Sequence, residues 1–228
     1  MDYTCDDIAK MIDHSLLRPE LIEKDIREGC RIAREYKTAT VCCAPSEVAL
    51  VKELLDGSDV KTTTVVGFPH GYNKTETKVC EAEQAIKDGA VELDMVLNIS
   101  RLLSGDYDYV KKDIQAVVET AHPHNVLVKV IFENYYLTDE QKKKACELAE
   151  EAGVDFVKTS TGFAAGGATL EDLRLMRESV SDKVQVKAAG GVRDLDMALK
   201  VREVGCTRFG ATATEAIMEQ CYEKNGLK

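Results

Sequence analysis

No stretch of this sequence approaches the ~20 consecutive apolar residues that a membrane-spanning helix needs. The first residues, MDYTCDD, hold no positive stretch leading into an apolar one, so no secretory signal is expected and the reading is cytoplasmic. Positive charge is in deficit: 30 Lys and Arg face 40 Asp and Glu, a formal net charge of −10. That argues against broad binding to nucleic acid or to an anionic membrane, while leaving room for a local basic pocket. The eight cysteines, at 5, 30, 42, 43, 80, 146, 206 and 221, form no Cys-x-x-Cys pair. They read as small buried hydrophobes of a reducing cytosol rather than as a disulfide framework. Metal-ligand patterns are missing too. His122 and His124 flank Pro123 in a helix-to-strand loop, His70 follows GFP alone, and no His-Glu-x-x-His is present, so neither a catalytic metal nor another cofactor is expected. No linker or low-complexity stretch divides residues 1–228, which read as one domain.

What the chain does have is alternation. Strand-like segments at 11–17, 38–43, 61–67, 90–96, 126–133, 154–158, 183–187 and 206–210 are rich in apolar and β-branched residues. Each is followed by a helical pattern, over 19–36, 46–55, 74–88, 106–120, 138–152, 170–180, 194–204 and 214–223. Pro19 suits the first turn of its helix, and Thr138 with Gln141 offers a capping box. Eight strands, each followed by a helix, predict an α/β fold, a single-domain (β/α)8 TIM barrel, rather than an open sheet.

Such barrels build their active sites at the C-terminal ends of the strands. Polar residues predicted there are Asp13, His14, Cys42, Asp94, Lys129, Glu133, Lys158 with Thr159 and Ser160, Lys187 and Arg208. Lys158 lies in the apolar run VDFVKTSTG (154–162) and Lys187 in KVQVKAAGG (183–191). An ammonium in a poorly solvated interior must be paired or lose its proton. Periodicity does not rank Lys129, Lys158 and Lys187, because each interrupts an apolar strand and each has a structural alternative, an ion pair closing the core. Lys158 and Lys187 are on consecutive strands, however, and mutual repulsion between neighbours lowers an amine's pKa toward the range a nucleophile needs. Asp94, in ELDMV (92–96), is the carboxylate whose flanks read as a buried strand end, and beside two lysines it suits proton transfer. Small-residue loops at 162–169, 190–193 and 210–214 have the composition of a backbone phosphate cradle.

These motifs, in this order, resemble the 2-deoxyribose-5-phosphate aldolases, a class I (Schiff-base) family. The likeness runs through IDHSLL (12–17), VCCAP (41–45), VVGFP (65–69), ELDMV and VKVI (128–131). It is most specific in FVKTSTGF (156–163), GGAT (166–169) and VKAAGGVR (186–193). The resemblance implies that Lys158 forms the Schiff base, Lys187 activates it and Asp94 relays protons, with Cys42 near the substrate. It places phosphate binding on Gly162, Gly190, Gly191, Val192 and Arg193, and on Gly210 in the last loop. The implied reaction is reversible cleavage of 2-deoxy-D-ribose 5-phosphate to acetaldehyde and D-glyceraldehyde 3-phosphate, in deoxyribonucleotide catabolism. The partners are then a small sugar phosphate and aldehydes, with no nucleic acid and no membrane; a homodimer is the default oligomer.

One loop departs from the family's usual Gly-Thr-Ser-Ser-Gly: this chain has GATAT (210–214). Thr212 still offers a hydroxyl, but Ala213 removes one, a loss worth ~1.5–3 kcal/mol if that group had bound phosphate. Two other readings therefore stand beside the first: a Schiff-base aldolase preferring another or non-phosphorylated acceptor, and a non-catalytic sugar-phosphate-binding barrel.

Overall fold

In the computed structural model, which describes residues 3–227, the predicted alternation closes on itself. Helix α1 (Cys5–Ala9) leads into β1 (Ile12–Leu16), then α2 (Glu23–Glu35), β2 (Thr40–Cys43), α3 (Val48–Leu54) and β3 (Lys61–Val66). Next come α4 (Thr75–Lys87), β4 (Glu92–Val96), α5 (Ile99–Leu103), α6 (Tyr107–Ala121) and β5 (Leu127–Ile131). The chain ends with α7 (Asp139–Glu151), β6 (Phe156–Lys158), α8 (Leu170–Glu178), β7 (Gln185–Ala189), α9 (Leu195–Glu203), β8 (Arg208–Ala211) and α10 (Thr214–Lys224). All neighbouring strands pair in parallel, and β8 pairs back to β1.

The alternation of side chains along each strand separates two kinds of interior. Outward positions such as Val41, Leu93, Met95, Val128, Val130, Val157, Val186 and Phe209 are buried against the helices and form the apolar core. The helices meet them with matching stripes. In α6, Val110, Ile114, Val117, Val118 and Ala121 recur at helical spacing and are all buried. Truncating Ile114 to alanine would cost about 2–5 kcal/mol of that packing. Inward positions are different. Asp13, Glu92, Asp94, Lys129, Lys158, Lys187 and Arg208 contact one another across non-adjacent strands, which only the barrel interior permits.

The elements depart from expectation at their edges. The second helix starts at Glu23 rather than at residue 19, because Pro19 falls in a turn closed by Leu21 N–H to the Arg18 carbonyl (3.2 Å). Asp25 then accepts from the Ile22 backbone (3.0 Å) and fixes the later start. Strand β5 stops at Ile131, and Glu133 lies beyond it in left-handed backbone (φ 57°). Helices α1 and α5, of five residues each, are too short to leave a periodic trace. The Thr138–Gln141 capping box forms as predicted.

The cysteine reading needs correction. Cys5 and Cys221 are joined as a disulfide that ties α1 to α10, while the other six are free thiols, all but Cys80 buried. A separation of 216 residues leaves no spacing motif in the sequence to announce the pair. Among the described residues no helix is long and apolar enough to cross a membrane.

Candidate active site

Strand register sets the site. Lys158 stands opposite Lys187, and Lys187 opposite Arg208, on successive strands. Asp94 stands opposite Lys129 in the same way. Because paired residues of a parallel ladder point to the same face, these side chains enter the barrel together. Asp94 becomes the hub. Its Oδ2 accepts from Lys158 Nζ and Lys187 Nζ, each at 2.7 Å, and its Oδ1 from Lys129 Nζ at 2.8 Å. Lys129 also meets Glu92 (2.5 Å), while Lys187 and Arg208 both pair with Asp13. The Phe156 ring is stacked against Lys129 and Arg208, at 5.8 and 5.9 Å from its centroid.

Three carboxylates, Asp13, Glu92 and Asp94, thus face four cations, Lys129, Lys158, Lys187 and Arg208. The cluster carries one positive charge in excess, and the local pairing decides which cation holds its proton least firmly. For Lys158, burial and the Lys187 charge outweigh attraction to Asp94 and lower its pKa. Lys187 is equally buried, but Asp13 and Asp94 together override that burial and hold it protonated. Burial also opposes ionisation of Asp94, yet Lys129, Lys158 and Lys187 keep its carboxyl well below the usual range. Of the two amines that share Asp94, Lys158 is thus the more easily deprotonated and Lys187 the more firmly held ammonium.

Lys158 and Lys187 open into a cavity of about 160 Å³ at the C-terminal end of the strands. Its wall includes Cys42, Gly162, Gly190, Gly191, Val192, Arg193, Gly210 and Thr212, so every substrate-binding residue expected from the sequence lines the same space. Asp94 lies beneath it, fully buried. Gly190 requires its residue type: it adopts φ 78°, and an added Cβ would come within 3.0 Å of the Gly167 Cα. Arg193 and Thr212 are exposed at the mouth, facing the space lined by these loops. Cys42 is buried, and that burial pushes its thiol up to about 11, so it is present as an unreactive thiol beside the amines.

Several members of the site were not legible as such. Asp13, Glu92 and Arg208 complete the charge network, and Arg18 and Phe163 join the cavity wall. Asp13 and Arg208 were visible as polar strand-end residues, but their partners are far away in sequence. Lys129 takes the structural alternative: it pairs with Asp94 and Glu92 and does not line the cavity. Lys78 shows what a purely structural buried lysine looks like. Its Nζ is satisfied by Asp113 (2.6 Å) and the Val96 carbonyl (2.9 Å), joining α4, α6 and the end of β4.

Known proteins are similar to this chain over most of its length. A model of the DeoC/LacD family aldolases matches residues 8–217. The deoxyribose-phosphate aldolase of Caldanaerobacter subterraneus subsp. tengcongensis is 54% identical over 221 residues, covering 96% of this chain and 95% of that protein. The deoxyribose-phosphate aldolase of Rhodopirellula baltica is 50% identical over 226 residues, 99% and 94% of the two chains. Among solved structures, the aldolase QR15 superposes with a TM-score of 0.92 at 41% identity, covering 97% of this chain and 98% of its own. The deoxyribose phosphate aldolase from Aeropyrum pernix, described as a unique tetramer, gives 0.89 at 29% identity over 97% and 92%. With a family model spanning most of its length and relatives above half identity, this chain belongs to the DeoC/LacD family of aldolases.

Proposed function

We propose that this chain cleaves 2-deoxy-D-ribose 5-phosphate reversibly to acetaldehyde and D-glyceraldehyde 3-phosphate through a Schiff base on Lys158. The observation that carries the reading is the shared Asp94 Oδ2, 2.7 Å from both Lys158 and Lys187, at the floor of a cavity walled by glycine loops. The names of the relatives support the substrate. The same reading assigns the enzyme to deoxyribonucleotide catabolism in the cytoplasm.

Neutral Lys158 adds to C1 of the open-chain sugar, and loss of water gives a protonated imine. As the C3 hydroxyl gives up its proton, the C2–C3 bond breaks and its electron pair moves into the imine. Glyceraldehyde 3-phosphate leaves, and an enamine of acetaldehyde remains on Lys158. Protonation at C2 and hydrolysis release acetaldehyde and regenerate the amine. Asp94 and Lys187, with water, move these protons, because their contact pairs an acceptor and a donor beside the reacting nitrogen. Gly162, Gly190, Gly191, Val192, Gly210 and Thr212, with Arg193, hold the phosphate end.

Borohydride trapping with acetaldehyde, followed by mass mapping, tests this. The expected adduct is on Lys158 and is absent from Lys158→Leu. An adduct on Lys187 or Lys129, or none in active enzyme, would overturn it.

A further inference from the structure

Glu133 is not used by this mechanism, yet its surroundings are specific. It is 2% exposed and adopts φ 57°, a conformation unfavourable for a residue with a side chain. Its neighbours hold it there: Phe132 N–H donates to the Lys158 carbonyl (3.0 Å) and Asn134 N–H to the Thr159 carbonyl (2.9 Å). The backbone therefore continues alongside β6 past the end of the regular ladder. Where the next acceptor would be a backbone carbonyl, the Glu133 side chain takes over. Its Oε2 accepts from Thr161 N–H (3.2 Å) and from the Thr161 hydroxyl, and that hydroxyl in turn accepts from Phe163 N–H (3.0 Å). Thr161, Gly162 and Phe163 all line the cavity with Lys158.

We propose that Glu133 is a positioning residue of this site: through Thr161 it fixes the turn at 161–163, and with it the wall that holds the sugar phosphate against Lys158. The inference rests on the reading of Lys158 as the imine-forming residue. The surroundings of Glu133 favour its uncharged form. Its Oε1 is buried with no hydrogen-bond partner among the described residues, which is far less costly on a neutral carboxyl than on a carboxylate. Burial raises its pKa against the opposing Thr161 hydrogen bonds. A glutamine presents the same acceptor oxygen without the charge and should replace it; an alanine should not.

The test combines steady-state kinetics on 2-deoxyribose 5-phosphate with borohydride trapping by acetaldehyde, which does not need the phosphate wall. Glu133→Ala should raise KM about tenfold, as expected for losing one or two hydrogen bonds, while kcat stays within about threefold. Its trapping rate with acetaldehyde should match the parent, and Glu133→Gln should recover most of the lost KM. If Glu133→Ala does not fold, Thr161→Val breaks the same link from the other end and should show the same split. A parent-like KM in the variant that breaks the link, trapping that falls in step with KM, or Glu133→Gln as impaired as Glu133→Ala would overturn the proposal. The two readings fail separately. No adduct on Lys158 in the parent removes the premise, whereas a normal adduct with an unmoved KM removes only the role of Glu133.

Discussion

Lys158 and Lys187 stand in register on neighbouring strands, and both amino groups lie 2.7 Å from the same Asp94 oxygen. Their environments differ in one partner: Lys187 also holds Asp13, and among the described residues Lys158 has no second carboxylate in contact. That single asymmetry moves the pKa values of two equally buried lysines in opposite directions. Burial lowers any ammonium, so the group with fewer counter-charges is the one that loses its proton.

Burial and the Lys187 charge together lower the Lys158 pKa; replacing Lys187 by leucine removes the second of these while Asp94 still attracts the proton. The amine should then be protonated at neutral pH. We expect turnover at pH 7 to fall by at least about a hundredfold, with the rising limb of the pH–rate profile displaced to higher pH. Near-normal rates at pH 7, or an unmoved limb, would refute the role of Lys187.

Asp94→Asn should separate imine formation from turnover. Without the carboxylate, Lys129, Lys158 and Lys187 face one another with less counter-charge, so the Lys158 pKa falls further and the amine remains nucleophilic. Trapping with acetaldehyde should persist while steady-state cleavage drops about 10²- to 10⁴-fold, the usual worth of a positioned proton-transfer group. Loss of both activities together would mean that Asp94 only holds the barrel in shape.

The fold and the adjacency of Lys158 and Lys187 were legible because both follow from local patterns. Alternation of strand and helix predicts the barrel, and consecutive strands must be neighbours in it, which puts Lys158 beside Lys187 without any knowledge of coordinates. The remainder of the charge network was not legible for the opposite reason. Asp13 meets Arg208 across 195 residues and Glu92 meets the same arginine across 116, contacts made only when the barrel closes. Glu133 was misplaced at a strand end because its backbone turns left-handed, a conformation its own residue type does not favour. Pro19 misled the helix start because proline suits a tight turn as well as a first helical turn.

The acid limb of stability follows from Asp13 and Asp94. Both are held below the ordinary carboxylate range: burial opposes this, but it is overridden by Lys187, Arg208 and Lys129 for Asp13 and by the three lysines for Asp94. A carboxyl whose folded pKa is depressed contributes stability above its unfolded value near ~3.9 and loses it as pH falls toward the folded value. Urea midpoints should therefore be steady from about pH 5 to 7 and collapse below about pH 4. The collapse should be shallower in Asp94→Asn, whose neutral amide has no such proton to take up. An equally steep collapse would assign the acid limb to other groups.

The Cys5–Cys221 link joins helices near opposite ends of the described chain and closes a 216-residue span. Constraining so long a loop in the unfolded state is worth about 2–5 kcal/mol. Reduction, or Cys221→Ser, should lower Tm by roughly 5–15 °C for a chain of this size without changing KM, since both cysteines lie away from the cavity. Alkylation under denaturing, non-reducing conditions should label six of the eight cysteines. Labelling of all eight in freshly isolated protein would show the pair unformed.

Gly210, Ala211 and Thr212 line the cavity, whereas Ala213 is not part of its wall and precedes α10. The hydroxyl that the sequence lacks at 213 is therefore missing from a position outside the cavity wall. Thr212→Ala should raise KM for 2-deoxyribose 5-phosphate about tenfold, the loss of a hydrogen bond to a charged group. Ala213→Ser should change KM less than about twofold, because restoring the hydroxyl there adds no partner for phosphate. KM values for both variants, compared with those on unphosphorylated deoxyribose, decide it: the Thr212→Ala effect should vanish on the unphosphorylated sugar. A marked gain from Ala213→Ser on the phosphorylated substrate alone would instead make residue 213 the weak point of phosphate binding and revive a preference for other acceptors.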